Sequence, residues 1–96
     1  MNILIAEDTA VVQMLHALTM KEWGHEYDIA SNGAEAVDYA RKNNGCYDLC
    51  IMDVSMPIMD GIEATKIIRK KGFYFPILGY SSDAKMENIC LESGMD

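Results

Sequence analysis

The chain is short of positive charge, of paired cysteines and of long apolar runs, and each shortage removes a class of function. Its Lys and Arg number 8 against 15 Asp and Glu, for a formal net charge of −7. A free-standing nucleic-acid binder needs cations to displace counterions from phosphates, so no direct binding to nucleic acid is expected. No apolar run reaches the roughly 18 to 20 residues that span a bilayer. Glu7 and Asp8 end the opening apolar run too early for a signal peptide. The expectation is a soluble, cytoplasmic protein without membrane attachment. Cys46, Cys50 and Cys90 are odd in number, form no CxxC, and have no second pair or His cluster to complete a zinc site. They read as reduced, partly buried thiols. His16 and His25 are isolated and read as surface or boundary residues. Repeats, low-complexity stretches and Gly/Ser/Pro linkers are also missing.

What remains suffices for one folded domain. Of the 96 residues 50% are hydrophobic, which supports a real core but leaves no room for a second domain. Short apolar runs alternate with longer amphipathic ones. Ile3-Leu4-Ile5-Ala6 reads as a strand buried on both faces of a parallel sheet. Asp8 and Thr9 can cap a first helix, along which Val11, Leu15 and Leu18 recur at helical spacing and which Gly24 stops. A weaker strand spans Glu26 to Ala30, with Tyr27 and Ile29 on one side. Ser31-Asn32-Gly33 opens a second helix carrying Ala36, Val37 and Ala40 on one face, broken at Asn43-Asn44-Gly45. Tyr47 to Asp53 holds a third strand, Ile62 to Lys71 a third helix, and Pro76 to Tyr80 a fourth strand. Ala84 to Ser93 is a fourth helix, capped by Ser82 or Asp83 and ended at Gly94. Strands separated by helices of this length pair in parallel through right-handed crossovers, which predicts a doubly wound α/β sheet.

Ligands of such sheets bind beyond the carboxyl ends of the strands, where the strand order reverses. The first strand ends in Glu7-Asp8 and the third in Asp53. If those strands are neighbours, three carboxylates converge, and like charges that close call for a cation between them. An oxygen-only donor set without His or Cys suits Mg²⁺. An Asp beside Mg²⁺ can act as a nucleophile toward phosphorus and carry an aspartyl phosphate. Ser81 and Ser82, ending the fourth strand, can donate to phosphoryl oxygens. Any one of these residues alone reads more simply as a helix cap or solvated loop residue. Their gathering on one edge of the predicted sheet is what points to a site.

The stretch Ile51-Met52-Asp53-Val54-Ser55-Met56-Pro57-Ile58-Met59-Asp60-Gly61 resembles the signature of the receiver domain of two-component response regulators, apolar-apolar-Asp-x-x-Met-Pro-x-Met-Asp-Gly. Leu4-Ile5-Ala6-Glu7-Asp8 is similar to that family's acidic pair after the first strand, and Asn32-Gly33-x-Glu35-Ala36 to the start of its second helix. Pro76 to Ser81 looks like its fourth strand, and Gly94-Met95-Asp96 like the turn into a fifth. The resemblance implies a flavodoxin-like sheet of order 2-1-3-4-5, with strand 5 and helix 5 absent from this sequence. It implies that Asp53 is the phosphoacceptor, fed by a sensor histidine kinase or a phosphotransfer protein. Asp8 and Asp53 would bind Mg²⁺ directly, the backbone carbonyl of Ser55 would be a third ligand, and Glu7 would act through a water. Ser81 takes the position of the hydroxyl that senses the phosphoryl group. Ser82 stands where the family usually has Ala, narrowing access, and Ser55 and Asp83 stand where the lifetime of the phosphoryl bond is set. Such a domain is a switch, not an enzyme, assisting only its own phosphorylation and dephosphorylation. It would pass its signal to an output domain or downstream effector beyond residue 96. Partner choice would rest on first-helix surface residues such as Gln13, His16 and Ala17.

The family also places an invariant Lys at the end of its fifth strand. Lys66, Lys70, Lys71 and Lys85 fall in the third and fourth predicted helices, so none takes that role. The expectation is a receiver domain over residues 1–96, truncated at its C-terminal end. Pairing of the bare fourth strand with a second copy, giving a dimer, is the alternative. The missing Lys also keeps open a degenerate receiver-like module that is never phosphorylated, against which Glu7, Asp8, Asp53 and Ser81 speak. An Asp-nucleophile phosphatase would need a second Asp two residues after the first, where this chain has Ser55. Elsewhere, Arg69-Lys70-Lys71 is expected to complement the negative end of the third helix. Met14, Met52 and Met86 are expected to fill the core, and Met56 and Met59 to sit at the mouth of the site. Trp23 is expected to pack at the end of the first helix, and Phe73-Tyr74-Phe75 to pack on the third.

Overall fold

The computed structural model describes residues 1–80 and 87–96. Strands β1 (Asn2–Ala6), β2 (Glu26–Ala30), β3 (Leu49–Asp53) and β4 (Ile77–Tyr80) form one parallel sheet in the order β2-β1-β3-β4. Helices α1 (Ala10–Glu22), α2 (Gly33–Lys42) and α3 (Gly61–Lys70) make the crossovers, and α4 (Glu87–Ser93) follows β4. This is the doubly wound α/β sheet that the alternation of apolar runs predicts. The expected caps Ser82 and Asp83, the start of the fourth helix at Ala84 and the core position of Met86 lie outside the described residues. None of the helices described is long and apolar enough to cross a membrane.

Local chemistry sets where the helices begin. The Asn32 side chain accepts from the Glu35 N–H at 2.9 Å, and the Glu35 carboxylate accepts in return from the Ser31 N–H at 3.2 Å. Two orphan donors at the start of α2 are thereby satisfied reciprocally. Asp60 caps α3 by accepting from the Glu63 N–H at 2.9 Å. Thr9 holds the cap position of α1 but makes no side-chain capping bond, so the expected cap is one of backbone shape alone.

The two faces of the sheet are covered unequally. One carries Leu4, Cys50, Met52 and Ile77 against Ala36, Val37 and Ala40 of α2 and Ala64 and Ile68 of α3. The other gathers Ile3 and Ile5, with half-buried Tyr27, Ile29, Leu49 and Ile51, around Met20. Met20 is the one buried residue of α1, while Val11, Met14, Leu15 and Leu18 are 58–66% exposed. The helical spacing read from the sequence therefore marks an apolar stripe facing solvent, and Met14 does not fill the core. Trp23 is exposed as well and does not pack. Met52 is fully buried as expected, but Met56 belongs to the core rather than the mouth of the site, with Met59 half-buried against it.

Arg69 does more than complement a helix end. Its guanidinium donates to the carbonyls of Gly94, Phe73 and Phe75 at 2.9, 3.0 and 2.8 Å, and to the Asp96 carboxylate at 2.9 Å. That Asp96 carboxylate also accepts from the Ile77 N–H at 2.9 Å. A single side chain thus ties α3 to the segment before β4 and to the one after α4. Phe75 is buried and Phe73 half-buried on this clasp, as predicted for the aromatic run, and Tyr74 points outward.

The loop between β3 and α3 is held by backbone contacts that only glycine permits. The Gly61 N–H donates to the Val54 carbonyl at 3.0 Å, and a Cβ there would sit 2.1 Å from the Asp53 carbonyl oxygen. The Gly33 N–H, at the start of α2, donates to the Met59 carbonyl at 2.8 Å, where a Cβ would lie 2.4 Å from that oxygen. Between these anchors Ile58 adopts φ +69° while 86% exposed. This left-handed backbone costs an L-residue about 1–2 kcal/mol, and Ile58 recovers none of it by burial. Gly61→Ala is expected to destabilise the fold by about 1–3 kcal/mol in urea denaturation, because backbone must move to admit the methyl group. Ile58→Asn is expected to stabilise it by up to about 1 kcal/mol in the same assay, since Asn tolerates this conformation.

Candidate functional site

Strand register and side-chain alternation place the site. Ile5 pairs with Ile51 and Ala6 with Met52 across β1 and β3, and Asp53 pairs with Tyr80 across β3 and β4. Side chains of a strand alternate between faces, so Glu7, Asp53 and Tyr80 follow Ile5, Ile51 and Leu78 onto the face that α1 covers. They form a row across three strand ends with Asp53 in the middle. Asp8, the next residue after Glu7, is exposed beside the row.

The sequence reading of three converging acids holds in the geometry. Glu7, Asp8 and Asp53 each offer a carboxylate oxygen, and these oxygens lie within 4.8 Å of one another. Glu7 is buried, 3% exposed, and a buried carboxylate costs several kcal/mol unless its oxygens find donors. Glu7 finds two. Its Oε1 accepts from the Thr9 N–H at 3.0 Å and its Oε2 from the Tyr80 hydroxyl. Gln13, expected on the outer surface of the first helix, instead turns its amide to the Glu7 backbone carbonyl and to the Ser31 hydroxyl, the latter at 3.3 Å. Asp53 is half-buried. Its Oδ1 accepts from the Ser55 N–H at 3.1 Å, and its Oδ2 has no donor among the described residues.

These contacts push the two neighbouring acids apart. Burial raises the Asp53 carboxyl, the Ser55 N–H pulls it back, and the hydrogen bond and charge of Glu7 with the charge of Asp8 bring it to about 6. Burial acts upward on Glu7 too, but there the donors from Tyr80 and Thr9 and the contact with Asp53 win, and its pKa is lowered. The Tyr80 phenol is raised, by burial first and then by donation to Glu7. Glu7 is the committed anion, and Asp53 takes up the proton that such a cluster tends to retain.

The donor set is oxygen only, and among the described residues it is the one cluster of this kind. With Asp53 Oδ2 and the exposed Asp8 without hydrogen-bond donors among the described residues, the arrangement fits a hard divalent cation. Ser55 is exposed next to Asp53, whereas Ser81, Ser82 and Asp83 lie outside the described residues. Tyr80 was not among the site residues read from the sequence. Its signal was available in the alternation of β4, where Leu78 and Tyr80 share the face of Asp53.

Known proteins share this architecture. Two-component response regulator 24 of Arabidopsis thaliana is 41% identical over 81 residues, which cover 84% of this chain and 58% of that regulator. The receiver domain of a sensor histidine kinase from Pseudomonas aeruginosa, solved with magnesium coordinated in its active site cleft, superposes with a TM-score of 0.89 at 28% identity, covering 99% of this chain and 80% of that one. The Saccharomyces cerevisiae receiver domain of Ssk1, in co-crystal with the histidine phosphotransfer protein Ypd1, gives a TM-score of 0.85 at 30% identity, covering 100% and 74%. The chain spans between 7% and 58% of the length of the first curated relatives it matches, which are response regulators and histidine kinases. A profile of the response regulator receiver domain matches residues 3–96, and with nearly every residue accounted for, the chain belongs to that family of signalling domains of two-component systems.

Proposed function

We propose that this chain is a phosphoacceptor switch, in which Asp53 receives a phosphoryl group in a Mg²⁺-dependent reaction and passes the event on as a change of conformation. The observation that carries the reading is the convergence of Glu7, Asp8 and Asp53 within 4.8 Å, with Asp53 Oδ2 left without a donor among the described residues. Asp8 and Asp53 would hold the cation directly, with the Ser55 backbone carbonyl as a third ligand. Glu7, both of whose oxygens already have donors, suits an outer position reached through a water. Mg²⁺ bound there would neutralise charge on the transferring group.

The donor is a phosphohistidine of a sensor histidine kinase or phosphotransfer protein. Asp53 attacks phosphorus through its open oxygen, the P–N bond breaks, a P–O bond forms, and the imidazole leaves and takes up a proton. The product brings roughly two negative charges and three acceptor oxygens to the end of β3. The Ser81 hydroxyl would gain a partner only in that state, which favours a conformation with β4 and α4 drawn toward Asp53. Ser82 would narrow access to the group, and Ser55 and Asp83 would set its lifetime. The solvent-facing stripe Val11, Leu15 and Leu18 begins one turn from Asp8 and offers the donor an apolar helical surface. The neighbouring co-crystal with Ypd1 supports docking of a phosphotransfer protein. The histidine kinases and the response regulator among its relatives support a place in a two-component relay, which we place in the cytoplasm upstream of an output domain or effector.

Asp53→Asn is expected to abolish labelling by acetyl phosphate in Mg²⁺, and EDTA to abolish it in the native chain. Undiminished stable labelling of the Asn variant would remove the central claim. A second outcome follows from the raised Asp53 pKa, about 6 in the folded chain against an ordinary value of 3.8. Between those values the folded chain holds more protons than the unfolded one, so stability falls as rising pH ionises Asp53. In EDTA, Asp53→Asn is expected to melt above the native chain at pH 7, with the gap closing as pH drops from about 6 to about 4. Added Mg²⁺ raises the native melting temperature at pH 7 by binding only the folded site. A gap that does not change with pH would contradict the placing of the proton on Asp53.

A further inference from the structure

The geometry points to Tyr80 as a positioning residue of the acidic site: its phenol hydroxyl, donated to Glu7 Oε2, holds the Glu7 carboxylate in the orientation from which it reaches the cation through a water. This deepens the reading above and rests on it. Tyr80 ends β4, two strands away from Glu7, and pairs in register with Asp53 on the strand between them. Neighbouring strands lie about 4.8 Å apart, so only a side chain as long as tyrosine can bridge from β4 over β3 to β1. The bridge is made, since the Tyr80 hydroxyl reaches Glu7 and the ring passes beside Asp53.

The Glu7 carboxylate is thereby pinned from both ends. Thr9 N–H engages Oε1 at 3.0 Å and Tyr80 O–H engages Oε2, so neither oxygen can swing away without losing a donor. Asp53 and Asp8 both repel Glu7 and, without these donors, would drive it outward. The Thr9 donor is a backbone N–H that a change of side chain leaves in place, whereas the Tyr80 donor belongs to a side chain. The ring is itself steadied from α1, its centroid 6.2 Å from that of His16. With 36% of its surface exposed, Tyr80 contributes less to the core than to this bridge, and a phenylalanine would keep the ring in place. The functional consequence is specific. Loss of the hydroxyl weakens cation binding but leaves Asp53, the nucleophile, untouched.

The test is Tyr80→Phe, read as the Mg²⁺ dependence of labelling by acetyl phosphate and as Mn²⁺ binding followed by electron paramagnetic resonance. The half-saturating concentration of either cation is expected to rise about three- to tenfold, less than the full loss of a hydrogen bond to a charged group because Glu7 keeps its Thr9 donor. The labelling rate at saturating Mg²⁺ is expected to stay within about twofold, and the melting temperature in EDTA within a few degrees. A hydroxyl with a merely structural role would not separate half-saturation from the plateau in this way. An unchanged or lowered half-saturation overturns the proposal, as does a fall in the plateau without a shift. Failure of the underlying reading looks different, since the native chain would then show no Mg²⁺-dependent labelling at all. In that case the Mn²⁺ titrations still decide whether Tyr80 positions Glu7.

Discussion

Mutual repulsion among Glu7, Asp8 and Asp53 is the constraint around which this small fold is arranged. At the separation observed, a pair of full charges repels by about 3 kcal/mol at an effective dielectric near 20. The strands hold the acids together regardless, because β1 and β3 are adjacent and paired up to Ala6 and Met52, one residue short of Glu7 and Asp53. Beneath that ladder lie Leu4, Ile5 and Met52, all without exposure, so the strand ends cannot spread without opening the core. Donors are then shared out unevenly. Among the described residues Glu7 receives two and stays ionised, while Asp53 receives one and is left with a raised pKa and an oxygen without a donor. A cation settles the remaining conflict better than a proton does, which is why an acidic cluster of this build reads as a metal site rather than as a group of caps.

The same economy appears in the loop that follows Asp53. Its shape is fixed by main-chain hydrogen bonds, from Gly61 to Val54 and from Gly33 to Met59, and not by side chains. Glycine lets these backbones approach to distances that a single methyl group would forbid. The start of α2 is thus joined to the loop that carries Ser55 and Ile58. A displacement at Asp53 therefore has a short covalent and hydrogen-bonded route into two helices. Ile58, exposed and in a left-handed conformation, shows that the loop is held from outside, since no local preference of isoleucine would choose that backbone.

Much of this was legible in the sequence because it depends on short-range chemistry. The continuous apolar runs mark buried parallel strands, Ser31-Asn32-Gly33 marks a helix start, and Gly24, Asn44 and Gly45 mark the left-handed stops, whereas Asp60, a cap in the structure, reads as loop in the sequence. The convergence of Glu7, Asp8 and Asp53 needed only the order of the strands. What eluded the sequence depends on which faces meet in three dimensions. Val11, Leu15 and Leu18 keep the period of a buried stripe, but α1 presses on the sheet through Met20 instead. Met56 follows the signature of the site loop yet points into the core, and Arg69 lies in a basic run yet serves as a clasp. Tyr80 is the instructive case, because its role requires the register across three strands and the reach of one side chain at once.

Among the described residues the two faces of the sheet are covered unequally, and the three acids lie at the edge of the less covered one. The face shared by α2 and α3 is filled, among the described residues, by side chains that are almost wholly buried. The other face carries Glu7, Asp53 and Tyr80 in a row and is covered in the described residues by α1 alone, through a small cluster around Met20. His16 on α1 lies one ring away from Tyr80, and Tyr80 is hydrogen-bonded to Glu7. A partner helix seated on Val11, Leu15 and Leu18 would therefore stand within a few side chains of the acids, with no packed layer to cross. On that side the bridge from Tyr80 to Glu7 keeps the acids aligned where packing among the described residues does not.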